Sequence, residues 1–260
     1  SEELILDLCN YAKSIGLDFS STPYSIREAE FLVEKCRVPF VKIASMELNN
    51  LEYLELLARL NTPLVLSTGM GSIQEIDRAV DAVTSHHNDL IVLHCNSIYP
   101  TPSNDVNLNN IHMLRERFAE VPIGFSDHTL GIETSIAAAA MGAAVIEKHF
   151  TLDRSRVGMD NHMAIEANEL KEMVKAVRNV NLALGCHNRT LGEAELAQKK
   201  NMRRSIVTAR PISSGHAIAR DDIVFKRPGD GIPIEDVSLI LGKRALRDLP
   251  EDVIIELTDI

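Results

Sequence analysis

Six short apolar runs in the first 150 positions constrain this chain most: 17–22, 40–45, 64–68, 90–96, 122–126 and 143–150. Hydrophobic residues follow one another in them instead of alternating with polar ones. That pattern marks strands covered on both faces, as in a parallel sheet. Between the runs the apolar spacing turns helical. Ile73, Ile76, Val80 and Val83 share one face, behind Ser72 and Glu75 at capping-box spacing. Ser25 and Glu28 repeat that start signal before residues 29–35, and a helix over 167–184 presents Leu170, Met173, Val174 and Val177. A further helical stretch, 2–14, opens the chain. Strand–helix alternation of this kind predicts a parallel α/β fold.

Six strands leave two architectures open. A doubly wound sheet needs no further part, whereas an eight-stranded βα barrel needs two more units, expected upstream of Ser1. No GxGxxG follows the first strand, and polar residues end most of the strands, which is where a barrel carries its site. After Gly185 the character changes. Residues 185–202 read as a polar linker able to carry a short helix. From Arg203 to Ile260, strand signals at 205–209, 223–226 and 253–257 are broken by Pro-, Gly- and Asp-rich turns, predicting a small β-rich domain.

Composition removes several functions. The 27 Lys and Arg against 37 Asp and Glu give a net charge of −10, without the basic footprint of a nucleic-acid or anionic-membrane partner. No apolar run approaches the roughly 20 residues of a membrane span. Ser1 opens a polar stretch with neither a basic nor an apolar leader segment, so a cytoplasmic location is expected. Cys9, Cys36, Cys95 and Cys186 lie far apart without a CxxC, as reduced thiols do.

The strand ends collect Thr22, Lys42, Ser45, Glu47, Ser67, Asn96, Ser97, Tyr99, Ser126, Asp127, His128, Glu147, Lys148 and His149, which a barrel would bring to one mouth. Hydroxyls and backbone amides around one lysine make a cradle for a dianion such as phosphate, although any single hydroxyl also serves to cap a helix. His128 and His149 end consecutive strands, and two imidazoles so placed can share one divalent ion. His94 sits inside an apolar strand as a core histidine or a support for its neighbours, and His86 and His87 fall in a polar, solvated loop. Asp160, in the loop after His149, is able to bind a polyol or accept a proton, and also fits a solvated loop carboxylate. The segment 226–231 reads as a turn with a basic lip.

In order along the chain stand Ser21-Thr22-Pro23, Lys42-Ile43-Ala44-Ser45, Leu66-Ser67-Thr68-Gly69-Met70, IYPTP at 98–102, GFSDHTL at 124–130, EKHFT at 147–151 and KRPGDG at 226–231. Together they resemble the sialic acid synthase family, makers of N-acetylneuraminate, legionaminate or pseudaminate, across essentially the whole chain. The resemblance implies a TIM (β/α)8-type barrel over 1–184, a linker over 185–202 and a small SAF (antifreeze-like) domain over 203–260. It implies condensation of phosphoenolpyruvate with N-acetylmannosamine or a related N-acetylated aldose, with release of phosphate. Thr22, Lys42, Ser45, Ser67 and Ser126 then hold phosphoenolpyruvate, with Asn96 and Ser97 beside them. His128 and His149 ligate Mn²⁺ or Mg²⁺. Glu47, Tyr99 and Asp160 contact the sugar, and Lys42, Glu47 and Asp160 are the catalytic candidates. Tyr24 replaces a frequent phenylalanine of the sugar pocket. Arg227 reaches the sugar site of the other subunit in a domain-swapped homodimer.

The family's catalytic glutamate, in a motif like EIGINHEG, and a lysine near the phosphoenolpyruvate have no counterpart here. The first two βα units are therefore expected to be absent from this chain, leaving apolar strand edges open. Two other functions remain compatible with the residues: a non-catalytic module that binds sugar or phosphate, and a metal-dependent aldolase of phosphorylated sugars.

Overall fold

A computed structural model describes all 260 residues, and the chain divides into two compact units, residues 1–185 and 186–260. The first opens with α1 (Glu2–Ser14) and α2 (Ile26–Glu30), the latter running into a π-helical turn at Phe31–Cys36. Strands and helices then alternate: β1 (Val41–Ile43), α3 (Leu51–Ala58), β2 (Leu64–Ser67), α4 (Ile73–Thr84), β3 (Leu90–Cys95), α5 (Asn109–Arg117), β4 (Ile123–Asp127), α6 (Glu133–Ala140), β5 (Ile146–Lys148) and α7 (Ala167–Leu184). All five strands are parallel and pair in chain order, β1-β2-β3-β4-β5.

That order decides between the two architectures. A doubly wound sheet reverses direction part-way and places an early strand in its middle, whereas a barrel keeps winding one way. This unit is a TIM-like half-barrel. Its five strands correct the six expected from sequence. Residues 17–22 carry a single backbone hydrogen bond to β1, Lys42 N to Ser21 O at 3.4 Å, and without a ladder they form no strand.

Burial explains the unbroken apolar runs. Every residue of β2 and β4 is buried, as is all of β3 except Ile91. β5, at the sheet's edge, is only half-buried at each of its three positions. Leu54, Leu57, Leu64, Leu66 and Phe125 lie in the core, and full burial of each side chain stabilises the fold by about 1.5–3 kcal/mol. α4 begins with the anticipated capping box, Ser72 Oγ accepting from Glu75 N and Glu75 Oε2 from Ser72 N. At α2 the reciprocal half shifts by one residue: Ser25 Oγ accepts from Glu28 N, but Glu28 Oε2 accepts from Tyr24 N.

The second unit holds α8 (Glu193–Met202), exposed along its length, then β6 (Ser205–Thr208) paired antiparallel with β7 (Ile223–Lys226). The strand expected at 253–257 reduces to an isolated bridge, Val207 with Ile254, because the chain meets β6 for too short a stretch to extend a ladder. Ile206, Ile212, Ile218, Ile223, Ile240 and Ile255 fill its core. Two buried carboxylates tie its turns. Asp222 accepts from Ala219 N at 2.7 Å, Arg210 Nε at 2.6 Å and His216 Nε2 at 2.8 Å. Asp259 accepts from Arg247 Nε at 2.7 Å and Glu256 N at 2.9 Å. The Ala219 amide, against the cost of burial and aided by His216 and Arg210, holds the Asp222 carboxyl down at about 2. No helix of either unit is long and apolar enough to cross a membrane.

Candidate active site

The carboxyl ends of the strands close around a cavity of about 410 Å³. In a flat sheet, four inter-strand steps of about 4.8 Å would hold the outer strands roughly 19 Å apart. Here Lys42 Nζ of β1 lies 3.4 Å from Glu147 Oε2 of β5, so the sheet curls until its first and last strands share one mouth. Lys42 also donates to Ser67 Oγ at 2.7 Å and to Ile43 O at 3.0 Å. Ser126 Oγ donates to Glu147 Oε1 at 3.1 Å. Thr22 and Tyr24 line the same cavity from the segment preceding α2.

Around Ser45 the packing is tight. Ser45 Oγ accepts from Gly69 N at 3.0 Å and approaches Cys95 Sγ at 3.6 Å. A Cβ on Gly69 would fall 2.2 Å from Ser97 Oγ and 2.8 Å from Ser45 Oγ, so only glycine fits between the two hydroxyls. Met70, next in the chain, adopts φ +65°, a left-handed conformation that costs a non-glycine residue energy and is common at ligand sites. Ser97 Oγ and Asn96 Oδ1 are buried without any hydrogen-bond partner. Enclosed, unsatisfied polar atoms are costly unless a ligand or water completes them.

The imidazoles of His128 and His149 stand with ring centroids 5.3 Å apart, and Tyr99 packs on His128 at 4.3 Å. His128 Nδ1 lies 2.7 Å from Asn96 O. Donation to that carbonyl fixes the tautomer and leaves Nε2 as a free lone pair, the arrangement found in histidines that bind metals. His149 Nδ1 lies 3.8 Å from Asp160 Oδ2. Burial, reinforced by His128 and opposed by Asp160 and Glu147, pushes His149 below its usual pKa and so toward its neutral form. Burial also opposes charging of His128, but Cys95 and the Asn96 carbonyl outweigh it and raise its pKa. No group of three or more His, Cys, Asp or Glu side chains gathers with metal-binding geometry. Two imidazoles still suit a divalent ion that leaves most of its positions to water and substrate.

The structure thus brings Thr22, Tyr24, Lys42, Ser45, Ser67, Ser97, Tyr99, Ser126, His128 and His149 around one cavity. Asn96 meets His128 through its backbone carbonyl, while its side-chain Nδ2 donates to Asp105 O. Glu47 sits in the 3₁₀ turn after β1 and accepts from Asn50 Nδ2 at 2.8 Å. Asp160 approaches the group at His149. Arg227 belongs to the second unit, exposed on the turn after β7, with Nη1 3.7 Å from Met202 Sδ. His94 is buried, with Nε2 2.7 Å from Val106 O. His86 is exposed as expected, but His87 is half-buried with Nε2 enclosed, because its Nδ1 turns in to accept from Asp89 N. The strand-end pattern placed Glu147 at the mouth without giving it a role, and it passed over Cys95 and Gly69 as site residues. For Glu147 a signal exists: it stands two residues before His149, hence on the same face of the strand.

The chain matches the NeuB family over residues 1–189 and the SAF domain over residues 203–260. It is 37% identical to the N,N'-diacetyllegionaminic acid synthase of Legionella pneumophila, across 96% of this chain and 71% of that protein. It is 35% identical to the N-acetylneuraminate-9-phosphate synthase of Homo sapiens, across 100% of this chain and 73% of that one. Among solved structures it is similar to the N-acetylneuraminic acid (sialic acid) synthetase of Leptospira borgpetersenii in complex with citrate. The TM-score there is 0.73 at 33% identity, over 76% of this chain and 69% of the other.

Proposed function

The chain belongs to the NeuB family, and from that premise we propose that it is a nonulosonate synthase. It condenses phosphoenolpyruvate with N-acetylmannosamine or a related N-acetylated aldose and releases phosphate. The observation that carries this reading is the composition of the curled mouth: one ammonium, Lys42, among the hydroxyls of Ser45, Ser67 and Ser126, beside two imidazoles. The unit around it is strongly acidic and repels an anionic substrate at long range, so binding depends on these local donors. Lys42 and the hydroxyls, with Thr22, hold the phosphate and carboxylate of phosphoenolpyruvate. The unpartnered Ser97 Oγ is a further donor awaiting a ligand oxygen.

His128 Nε2 and His149 would hold a divalent ion, Mn²⁺ or Mg²⁺, which supplies Lewis-acid polarisation of the acceptor's aldehyde when bound. Tyr99, packed on both rings, and Asp160, beside His149, orient the imidazoles and present a hydroxyl and a carboxylate to the sugar, as does Glu47 from the turn after β1. The carbon–carbon bond forms from C3 of phosphoenolpyruvate to the aldehyde carbon, whose oxygen takes up a proton. Water then adds at C2, and the C2–O bond to phosphate breaks to leave the ketone. Holding both partners in contact is the chain's main contribution. The active form is a cytoplasmic homodimer in which Arg227 of one copy reaches the sugar of the other.

Phosphate release with Mn²⁺ tests this directly, with N-acetylmannosamine and a diacetamido-trideoxyhexose as separate acceptors and a chelator as control. Chelator-sensitive, acceptor-dependent release is expected. Sugar binding with no turnover would identify a binding module instead. Carbon–carbon bond formation from pyruvate without phosphate release would identify an aldolase.

A further inference from the structure

The register of β4 against β5 pairs Ser126 with Glu147 and Asp127 with Lys148. Successive side chains of a strand point to opposite faces. Ser126 and Glu147 therefore meet on the cavity face, where Ser126 Oγ donates to Glu147 Oε1. Asp127 and Lys148 meet on the opposite face, which corrects the expectation that they join the mouth, and His128 and His149, one residue further on, return to the cavity. Each imidazole is thus covalently next to one member of a buried ion pair. Lys148 Nζ lies 3.0 Å from Asp127 Oδ2, and the side chains are 3% and 0% exposed.

The pair is part of a hydrogen-bonded knot. Asp127 Oδ1 accepts from Thr129 N at 2.8 Å, while Oδ2 accepts from Thr134 Oγ1 at 2.8 Å and Ser135 Oγ at 2.6 Å in the first turn of α6. Lys148 Nζ donates to Thr129 O at 2.6 Å. One carboxylate and one ammonium so join the end of β4, the β4–α6 loop, the start of α6 and the end of β5.

A buried ion pair is a poor source of net stability, since desolvation offsets the attraction, but it discriminates strongly between arrangements that keep it and arrangements that break it. Discrimination is needed here. β5 has three residues, none fully buried, and pairs with β4 at three positions only. A slip of one residue would turn His149 away from the cavity. A slip of two would keep its face but move it by roughly 6.6 Å along the strand, out of reach of His128.

We propose that Asp127 and Lys148 are positioning residues: by locking the β4–β5 register from the back of the sheet, they set the separation of the His128 and His149 rings for one shared divalent ion. The proposal rests on the metal reading given above, and Mn²⁺ uptake, followed by electron paramagnetic resonance and titration calorimetry, separates the two. Lys148→Met and Asp127→Asn are each expected to weaken Mn²⁺ binding 10–100-fold and broaden the bound-ion spectrum, while Lys148→Arg, which keeps the charge, stays closer to the parent. Asp127→Asn retains side-chain hydrogen bonding and keeps the test open should Lys148→Met not fold. Folded Lys148→Met or Asp127→Asn protein with parental affinity and spectrum overturns the positioning role. In that case, uptake abolished by His128→Ala and by His149→Ala leaves the metal reading standing. Absence of Mn²⁺ uptake by the parent chain, or uptake that survives both histidine changes, overturns both.

Discussion

The two units use interior charge for different ends. Residues 1–185 hold 15 Lys and Arg against 25 Asp and Glu, residues 186–260 hold 12 against 12, and the chain's whole net charge of −10 therefore sits in the first. In the second unit the buried carboxylates answer local needs. Asp222 and Asp259 each accept a backbone amide three residues back and an arginine twelve residues back, so the same Arg-to-Asp spacing occurs twice. Both arginine side chains remain more than half exposed, at 57% and 58%, and each carboxylate closes its own turn. In the first unit, Lys42–Glu147 and Asp127–Lys148 join different strands and come together only through the fold, at the ends of those strands. Local pairs stabilise the segment that contains them, whereas pairs assembled by topology shape a site.

Lys42→Met breaks that contrast most sharply. Phosphate release is expected to fall by about 10²–10³-fold, because a pre-positioned donor to the leaving phosphate is lost. Unfolding of the first unit should shift by less than about 1 kcal/mol: the replacement keeps the methylene stem, and Glu147, 40% exposed, can turn to water. A large stability loss in Lys42→Met would place it with the second unit's carboxylates and dissolve the distinction.

Asp222→Ala should behave in the opposite way, lowering the second unit's stability by about 3 kcal/mol through the buried charge network it breaks. The pH dependence carries the same information. The Asp222 carboxyl, held at about 2 in the folded unit against an ordinary 3.8, contributes its full stabilisation above the unfolded value. That contribution, about 2 kcal/mol, is lost as pH falls from near 4 through 2. Denaturant melts of the parent between pH 5 and 2 should show this decline and Asp222→Asn should show less of it. Equal slopes would remove Asp222 from the account.

Which parts of this were legible in sequence follows the same local-versus-assembled division. The capping box at Ser72 and Glu75 and the span of α7 rest on neighbouring residues, and the sequence states them outright. Strands β2, β3 and β4 were visible because burial on both faces leaves an uninterrupted apolar run. Residues 17–22 have such a run and form no strand, since a ladder depends on a partner that residue pattern does not report. The hydroxyls, Lys42 and the histidines were found because strand ends can be located in sequence. Glu147's approach to Lys42, the unpartnered Ser97 Oγ and the Asp127–Lys148 knot depend on curl and register, which no local pattern encodes. The resemblance of the motifs to a known family reached past that limit for the fold, but it did not single out Gly69.

Gly69 gives the smallest test and the finest one. A methyl group there meets Ser97 Oγ at 2.2 Å and Ser45 Oγ at 2.8 Å, both closer than any real contact, while Gly192 in the second unit has nothing within 4 Å of an added Cβ. Gly192→Ala should leave activity unchanged and alter stability by no more than about 1 kcal/mol, the scale of an N-cap effect. Gly69→Ala should instead push the two hydroxyls off the cavity wall and raise KM for phosphoenolpyruvate about tenfold, equivalent to one lost hydrogen bond of about 1.4 kcal/mol. Because the worst overlap is with a side-chain oxygen, Ser97→Gly removes it. Gly69→Ala added to Ser97→Gly should then cost less than Gly69→Ala alone, a coupling that a double-mutant cycle reads directly. Additive effects would mean that Gly69 is constrained by its backbone and not by the hydroxyl it faces.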